Sequence, residues 1–359
     1  MVQYLTLNVL SDLFTCTIAF FVTILSIQIL RPLALRVGLV DRPGGRKNHN
    51  HNVPLVGGIA MFVGISFALL SINYSLLPWR SFIAAIALLI ITGILDDFHE
   101  LTAKVRFLAQ IFAGGLMVIW GKNYIVDFGN LLFLGNIHLG YLGMPITIFA
   151  VVGVINAMNM LDGIDGLAGC IALVQLVILA ILAFFVGNIV VTKLLLIVIA
   201  ALFGFLIFNF QWPRYASLKV FMGDAGSMLL GFILVWFLVA LSQGQHPAAR
   251  PVTMLWIMIL PLFDTLRVII ERIWKKTSPF KPARDHIHYR LLSRGYKFWQ
   301  VNLILMFISL LSGVVAITAG FYHISAGIMF LAYILLFAIY FVQMNFSKLV
   351  SPINIQSES

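Results

Sequence analysis

Two adjacent carboxylates, Asp96 and Asp97, close an apolar run in GILDDFHELTAKVRF, with Glu100 three residues on and Lys104 opening the next run. Like charges this close repel unless a cation lies nearby, so the pair points to Mg²⁺, a lysine or both. In VINAMNMLDGIDGLAG, Asn156, Asn159, Asp162 and Asp165 recur every three residues, the spacing of one helical stripe. Carboxamides beside carboxylates make a hard, oxygen-rich site that suits Mg²⁺ or hydrogen bonds to a base or ribose. Gly163 and Gly166 follow the two aspartates and let a flat ligand approach the backbone. A solvated helix end would account for Asp96 and Asp97 alone. A plain Asp-Gly turn would account for one pair, but not for the stripe.

A third group lies in FNFQWPRYASLKVFMGDAGSMLLGF, where Asn209, Arg214, Lys219 and Asp224 surround a loop that returns to apolar sequence at GDAGS. Gly223 and Gly226 flank the acid as small residues do at a crowded phosphate or metal site. The longest polar stretch, ERIWKKTSPFKPARDHIHYRLLSRGY, sets His286 and His288 between Arg284 and Arg290. That spread of cationic donors suits a diphosphate, although a basic segment lying on a membrane surface would have the same composition. Lys47, in RKNHNHNVPLVGG, adds one more cation of the same kind.

The elements that must position these residues are apolar. Of 359 residues, 61% are hydrophobic and 10% charged, against roughly 25% charged in a soluble domain. A helix crosses a hydrocarbon core of about 30 Å with about 20 residues, so the chain has room for about ten or eleven spans. The expected fold is an all-α polytopic membrane protein with about eleven transmembrane helices, and residues 1–359 form a single integral-membrane domain. The first apolar run is followed, not preceded, by basic residues, so it is expected to remain as a span rather than act as a signal peptide. Cys16 and Cys170 both lie in apolar runs and imply no disulfide or metal framework. The segment from Phe128, FGNLLFLGNIHLGYLG, reads as a short surface hairpin.

Charge assigns the sides. Alternating the loops puts nineteen of the 23 Lys and Arg residues on one face, which the positive-inside rule makes cytoplasmic. The N-terminus is then outside and the C-terminus cytoplasmic. Cytoplasmic loops are expected near 31–55, 96–103, 157–166, 209–225 and 271–298. The unusual polar groups described above lie in these five or at the span ends beside them, so the catalytic cleft is expected on the cytoplasmic face. The net charge of +10 gathers on that face, where it suits a lipid bilayer with anionic headgroups and phosphorylated substrates. Nucleic acid is a poor partner for short basic loops flanked by membrane.

Taken together, GLVDRPGGRKNHNHNVPLVGG, LDDFHELTAK, NAMNMLDGIDGLAG, VFMGDAGSMLLG and PFKPARDHIHYR resemble the polyprenyl-phosphate N-acetylhexosamine-1-phosphate transferase family, in the family's order and across most cytoplasmic loops. PFKPARDHIH and VPLVGG are similar to the branch that starts O-antigen and related surface polysaccharides. That branch usually reads His-Ile-His-His, whereas here Tyr289 follows His288.

The resemblance implies transfer of N-acetylglucosamine 1-phosphate from UDP-GlcNAc to undecaprenyl phosphate with release of UMP, a bacterial inner-membrane location and a homodimer. It also implies Mg²⁺, or Mn²⁺ in its place, held by Asn159 and Asp224. Lys104, Arg284, His286 and His288 would neutralise phosphate oxygens. Asp162, Asp165 and Asn209 would orient the uridine, and Lys47, Asp96 and Asp97 would place the lipid phosphate. UDP-FucNAc, UDP-GalNAc and UDP-MurNAc-pentapeptide stay open as donors. A lipid-sugar transporter is the non-enzymatic alternative, but it would carry its polar residues near mid-membrane rather than at span ends.

Overall fold

A computed structural model describes residues 2–42, 51–72, 74–210, 218–278 and 284–350. Lys47 and Arg214 lie outside them. The chain is helical: α1 (Val2–Val37), α2 (Gly57–Leu70), α3 (Arg80–His99), α4 (Ala103–Gly115), α5 (Gly143–Leu161), α6 (Leu167–Phe185), α7 (Ile189–Asn209), α8 (Gly223–Ser242), α9 (Pro251–Ile257), α10 (Ile259–Trp274), α11 (Ile287–Ser293), α12 (Phe298–Phe321) and α13 (Ala326–Val350). Among the described residues nine helices are long and apolar enough to cross a membrane, or ten with the bent pair α9 and α10 taken as one span. The protein is therefore a polytopic, multi-pass membrane protein. At fourteen residues α2 is shorter than the run from 56 to 72 suggests. A two-stranded antiparallel ribbon, β1 (Val40–Asp41) with β2 (Val53–Pro54), closes the first polar loop. Near Phe128 the expected hairpin is present as an antiparallel bridge between Asp127 and His138.

The bundle is organised around α8, which is buried along nearly its whole length. Its sequence from Leu229 to Leu241 is almost wholly apolar, so every face needs a helical neighbour or lipid. It packs against α2, α3, α5 and α6. Apolar tails give helices in lipid no hydrophobic reason to associate, so close backbone approach through small residues must supply the contact energy. A Cβ on Gly93 of α3 would fall 2.2 Å from the Ala225 Cα, and one on Gly58 of α2 would fall 2.2 Å from the Gly226 nitrogen. Backbone atoms cannot swing aside as side chains do, so these crossings admit only glycine.

The apolar run from 252 to 270 is long enough for one continuous span, but the helix through it is broken. Helices α9 and α10 meet at 77°. Pro261, in the first turn of α10, has no N–H to give to the Ile257 carbonyl, which frees that acceptor at the bend. Gln175 of α6, fully buried, donates its Nε2–H to the Ile257 oxygen at 3.2 Å. A polar side chain from a neighbouring span thus satisfies the broken helix, as lipid could not.

Gly93→Val tests the α3–α8 crossing. Overpacking costs about 1–3 kcal/mol even where side chains can adjust, so the variant is expected to melt at a clearly lower temperature than wild type in detergent.

Candidate active site

The site assembles where α3 and α5 end and α8 begins. Gly93 lets α3 touch α8, and one turn later Asp97 receives the start of that helix: its Oδ1 accepts the Asp224 N–H at 2.8 Å and its Oδ2 the Ala225 N–H at 3.4 Å. A carboxylate is favoured there because the first N–H groups of a helix are unpaired and carry its positive dipole end. Gly223 enters the helix at φ +71°, and its absent side chain leaves the space that the Asp97 carboxylate fills, 2.5 Å from where a Cβ would stand.

Asp96 points elsewhere. Its Oδ1 accepts the Leu101 N–H at 2.7 Å, and its Oδ2 pairs with Arg106 at 3.2 Å. Lys104, the cation singled out in the sequence, lies exposed in the first turn of α4. The local sequence does not mark Arg106 because it lies in the first turn of α4, ten residues from Asp96, and only the turn between α3 and α4 brings the two together.

The stripe of polar residues divides at the end of α5. Asn156 donates to Gln110 of α4 at 2.6 Å. Asn159 donates one amide to both Asp224 Oδ1 and Ser227 Oγ. The helix then stops at Leu161, and Asp162 to Gly166 form a turn rather than a fourth helical step. Asp165 pairs with Lys219 at 2.6 Å. Asp162 makes no side-chain hydrogen bond or ion pair among the described residues. Burial, followed by the charges of Asp224 and Asp165, raises its carboxyl from the ordinary aspartate value to about 7.

Asn209 uses its amide on the backbone, accepting the Gly166 N–H at 2.8 Å and donating to the Val220 carbonyl at 3.0 Å. It frames the turn. Asn302 of α12, unforeseen in the sequence, holds the Asp165 carbonyl at 2.8 Å.

The segment from Arg284 to Tyr289 packs over this turn. His288 is fully buried, and a Cβ on Gly163 would fall 2.2 Å from its Nε2. Neither ring nitrogen of His288 has a partner among the described residues. Burial lowers its pKa to about 4, so at neutral pH it is an uncharged ring that can offer a hydrogen bond but no charge. Tyr289, in the place of a histidine, donates to the Gly163 carbonyl at 3.1 Å, with the Arg284 guanidinium 5.9 Å from its ring centre. Burial pushes the Asp285 carboxyl up, but its hydrogen bonds to Arg272 and that residue's charge hold it lower than usual. His286 lies against Asp264 of α10, its Nδ1 2.7 Å from Oδ2.

Asp96, Asp97 and Asp162 all lie within electrostatic reach of Asp224. The described carboxylates and histidines do not by themselves form a cluster of three or more that would cage a metal. Mg²⁺ does not need such a cage: it keeps several waters and is commonly held by one or two carboxylates plus substrate phosphates. Asp162, half-buried among acids with no cation of its own among the described residues, is the donor in surplus that such an ion would answer. The residues present therefore fit the group.

A family model for glycosyl transferase family 4 matches residues 79–242. The chain is 35% identical to the undecaprenyl-phosphate alpha-N-acetylglucosaminyl 1-phosphate transferase of Haemophilus influenzae, over 90% of this chain and 91% of that protein. The chain belongs to glycosyl transferase family 4. Proteins of the same description from Escherichia coli K12 and Salmonella typhi are 34% and 33% identical, over 77% and 87% of this chain and 75% and 84% of theirs. As a member of that family the protein is an enzyme of the phosphotransferase class. The family model's span contains every candidate acid on α3, on the turn after α5 and on α8; the Arg284–Tyr289 segment lies beyond it.

Gly163→Ala is expected to lift His288 and Tyr289 off the turn. Since a misplacement of about 1 Å can cost roughly 100-fold in rate, transferase turnover of that order below wild type is expected in protein that still elutes as a single folded species.

Proposed function

We propose that the protein transfers N-acetylglucosamine 1-phosphate from UDP-GlcNAc to undecaprenyl phosphate, giving undecaprenyl-diphospho-N-acetylglucosamine and UMP, at the cytoplasmic face of a bacterial inner membrane. The observation that carries this reading is the set of acids around the α8 N-terminus, in which Asp162 lacks a cation among the described residues while Arg106, Lys219 and Arg284 stand at its margins. An acidic centre with basic margins suits a metal-bound diphosphate. The relatives, named for this reaction, supply the substrates. The apolar runs support eleven spans, and the basic loops support an N-terminus outside and this end of the bundle on the side where nucleotide sugars are found.

Asn159 and Asp224 would hold Mg²⁺ on the donor diphosphate, with Asp162 as the further oxygen ligand. The bound ion supplies Lewis-acid stabilisation of charge developing on the phosphate oxygens. Asp97, engaged by two backbone N–H groups, fixes the direction of Asp224 rather than attacking. Arg106 balances Asp96 where the lipid phosphate approaches. A phosphate monoester has its second pKa near 6 and is largely dianionic at neutral pH, so its oxygen needs little base assistance. That oxygen attacks the sugar-linked phosphorus, a new P–O bond forms, and the bond from the same phosphorus to the bridging oxygen breaks, so that UMP leaves carrying that oxygen.

Purified protein given UDP-GlcNAc, Mg²⁺ and undecaprenyl phosphate is expected to release UMP and lipid-linked sugar, and chelation is expected to stop it. UDP-GalNAc, UDP-FucNAc and UDP-MurNAc-pentapeptide should react poorly, and a better rate with any of them would replace the donor. Several kcal/mol of charge stabilisation depend on the metal, so Asp224→Asn is expected to lose about 100-fold or more in turnover without loss of expression. Near wild-type turnover in that variant would remove Asp224 from the site.

A further inference from the structure

Beneath the Arg284–Tyr289 segment lies a buried polar network that the proposed reaction does not use. Asp264, six residues past the break between α9 and α10, is 2% exposed, and Arg267 is completely buried. Asp264 Oδ1 accepts three donors: the Ile287 N–H at 3.0 Å, the Arg267 guanidinium at 3.1 Å and the Tyr340 hydroxyl of α13 at 3.0 Å. Its Oδ2 faces His286 Nδ1 at 2.7 Å. Arg267 also pairs with Glu271 at 3.0 Å and donates to the Asp285 carbonyl. Such a network costs much to bury, and removing one partner leaves a charge uncompensated. Three of its bonds reach consecutive residues, at the Asp285 carbonyl, the His286 ring and the Ile287 N–H.

We infer that Asp264 is a positioning residue that holds His286 with its proton on Nδ1 and so seats the following residues, His288 and Tyr289, on the Asp162–Gly163 turn. An oxygen accepting three donors, one of them a guanidinium, favours the carboxylate over the acid. The short contact on Oδ2 then requires a donor, and on the imidazole that donor is Nδ1–H. Nε2 is left as the nitrogen that carries a lone pair when the ring is neutral. It stands 3.8 Å from Asp285 Oδ1, beyond hydrogen-bond length. The His286 and His288 rings lie parallel, 3° apart in plane with centres 5.7 Å apart, so fixing the first also fixes the bearing of the second.

The inference deepens the transferase reading, and its first test needs no turnover. In ¹⁵N-histidine-labelled wild-type protein, with the His286 signal assigned from its loss in His286→Gln, the ring proton is expected on Nδ1. In Asp264→Asn the carboxamide oxygen keeps its three donors while the NH₂ faces the ring, so the proton is expected to move to Nε2. With UDP-GlcNAc and undecaprenyl phosphate, Asp264→Asn should turn over about 10–100-fold more slowly, the range in which partners that orient functional histidines act. The same change made in His286→Gln should cost nothing further. A wild-type His286 protonated only on Nε2 would overturn the inference whether or not Asp264→Asn folds. An equal loss in both backgrounds would do the same, because Asp264 would then act through something other than His286. A wild-type protein inactive on UDP-GlcNAc would sink the proposed reaction instead and leave the tautomer measurement standing.

Discussion

The Asp97 carboxylate on the first N–H groups of α8 is the contact around which the rest of the site is arranged. It exists because Gly93 lets α3 and α8 touch backbone to backbone, and because Gly223 leaves room where any side chain would collide with the carboxylate. In a bilayer the free N–H groups of a helix end have few other partners, so an acid placed there both satisfies them and complements the dipole. The residue it fixes is Asp224. Asn159 and Ser227 then close on Asp224 from the side, and Gly57 and Gly58 of α2 donate to the Phe221 and Met222 carbonyls just before it, both at 3.0 Å.

Charge follows from that arrangement. Asp96 and Asp165 each have a basic partner, Arg106 and Lys219, and Asp97 has its helix end. Asp224 and Asp162 have no such cation among the described residues. Negative charge of that kind, partly withdrawn from water, is neutralised by a proton or a cation, and a site that neutralises it with the substrate's own metal ion couples binding to catalysis. The layer formed by His288 and Tyr289 covers the same turn and is carried by the broken pair α9 and α10, so the bend that Pro261 imposes is part of the site's construction.

The reaction chemistry was legible in the sequence because it resides in residue types and short spacings: Asp96 beside Asp97, the three-residue recurrence from Asn156 to Asp165, and Asp224 between glycines. The division of labour among those residues was not. Asp97 meets a helix 127 residues away, and Asn209 meets a turn 43 residues away; no local pattern records which carboxylate caps, which pairs and which stays open. Asp264 escaped notice because it lies inside an apolar run. Its spacing of three to Arg267, with Glu271 four further on, was the available signal. The fold was readable as helices and spans, but the break at Met258 was not, since Pro261 alone does not tell a kink from a clean bend satisfied by Gln175 from α6.

The most direct measurement of the central claim, that the acids at the α8 N-terminus hold a divalent cation on the nucleotide sugar, is Mn²⁺ binding followed by electron paramagnetic resonance in purified protein saturated with UDP-GlcNAc. A single bound ion is expected in wild type, with weakened binding in both Asp224→Asn and Asp162→Asn. Unchanged Mn²⁺ binding in the two variants would contradict it.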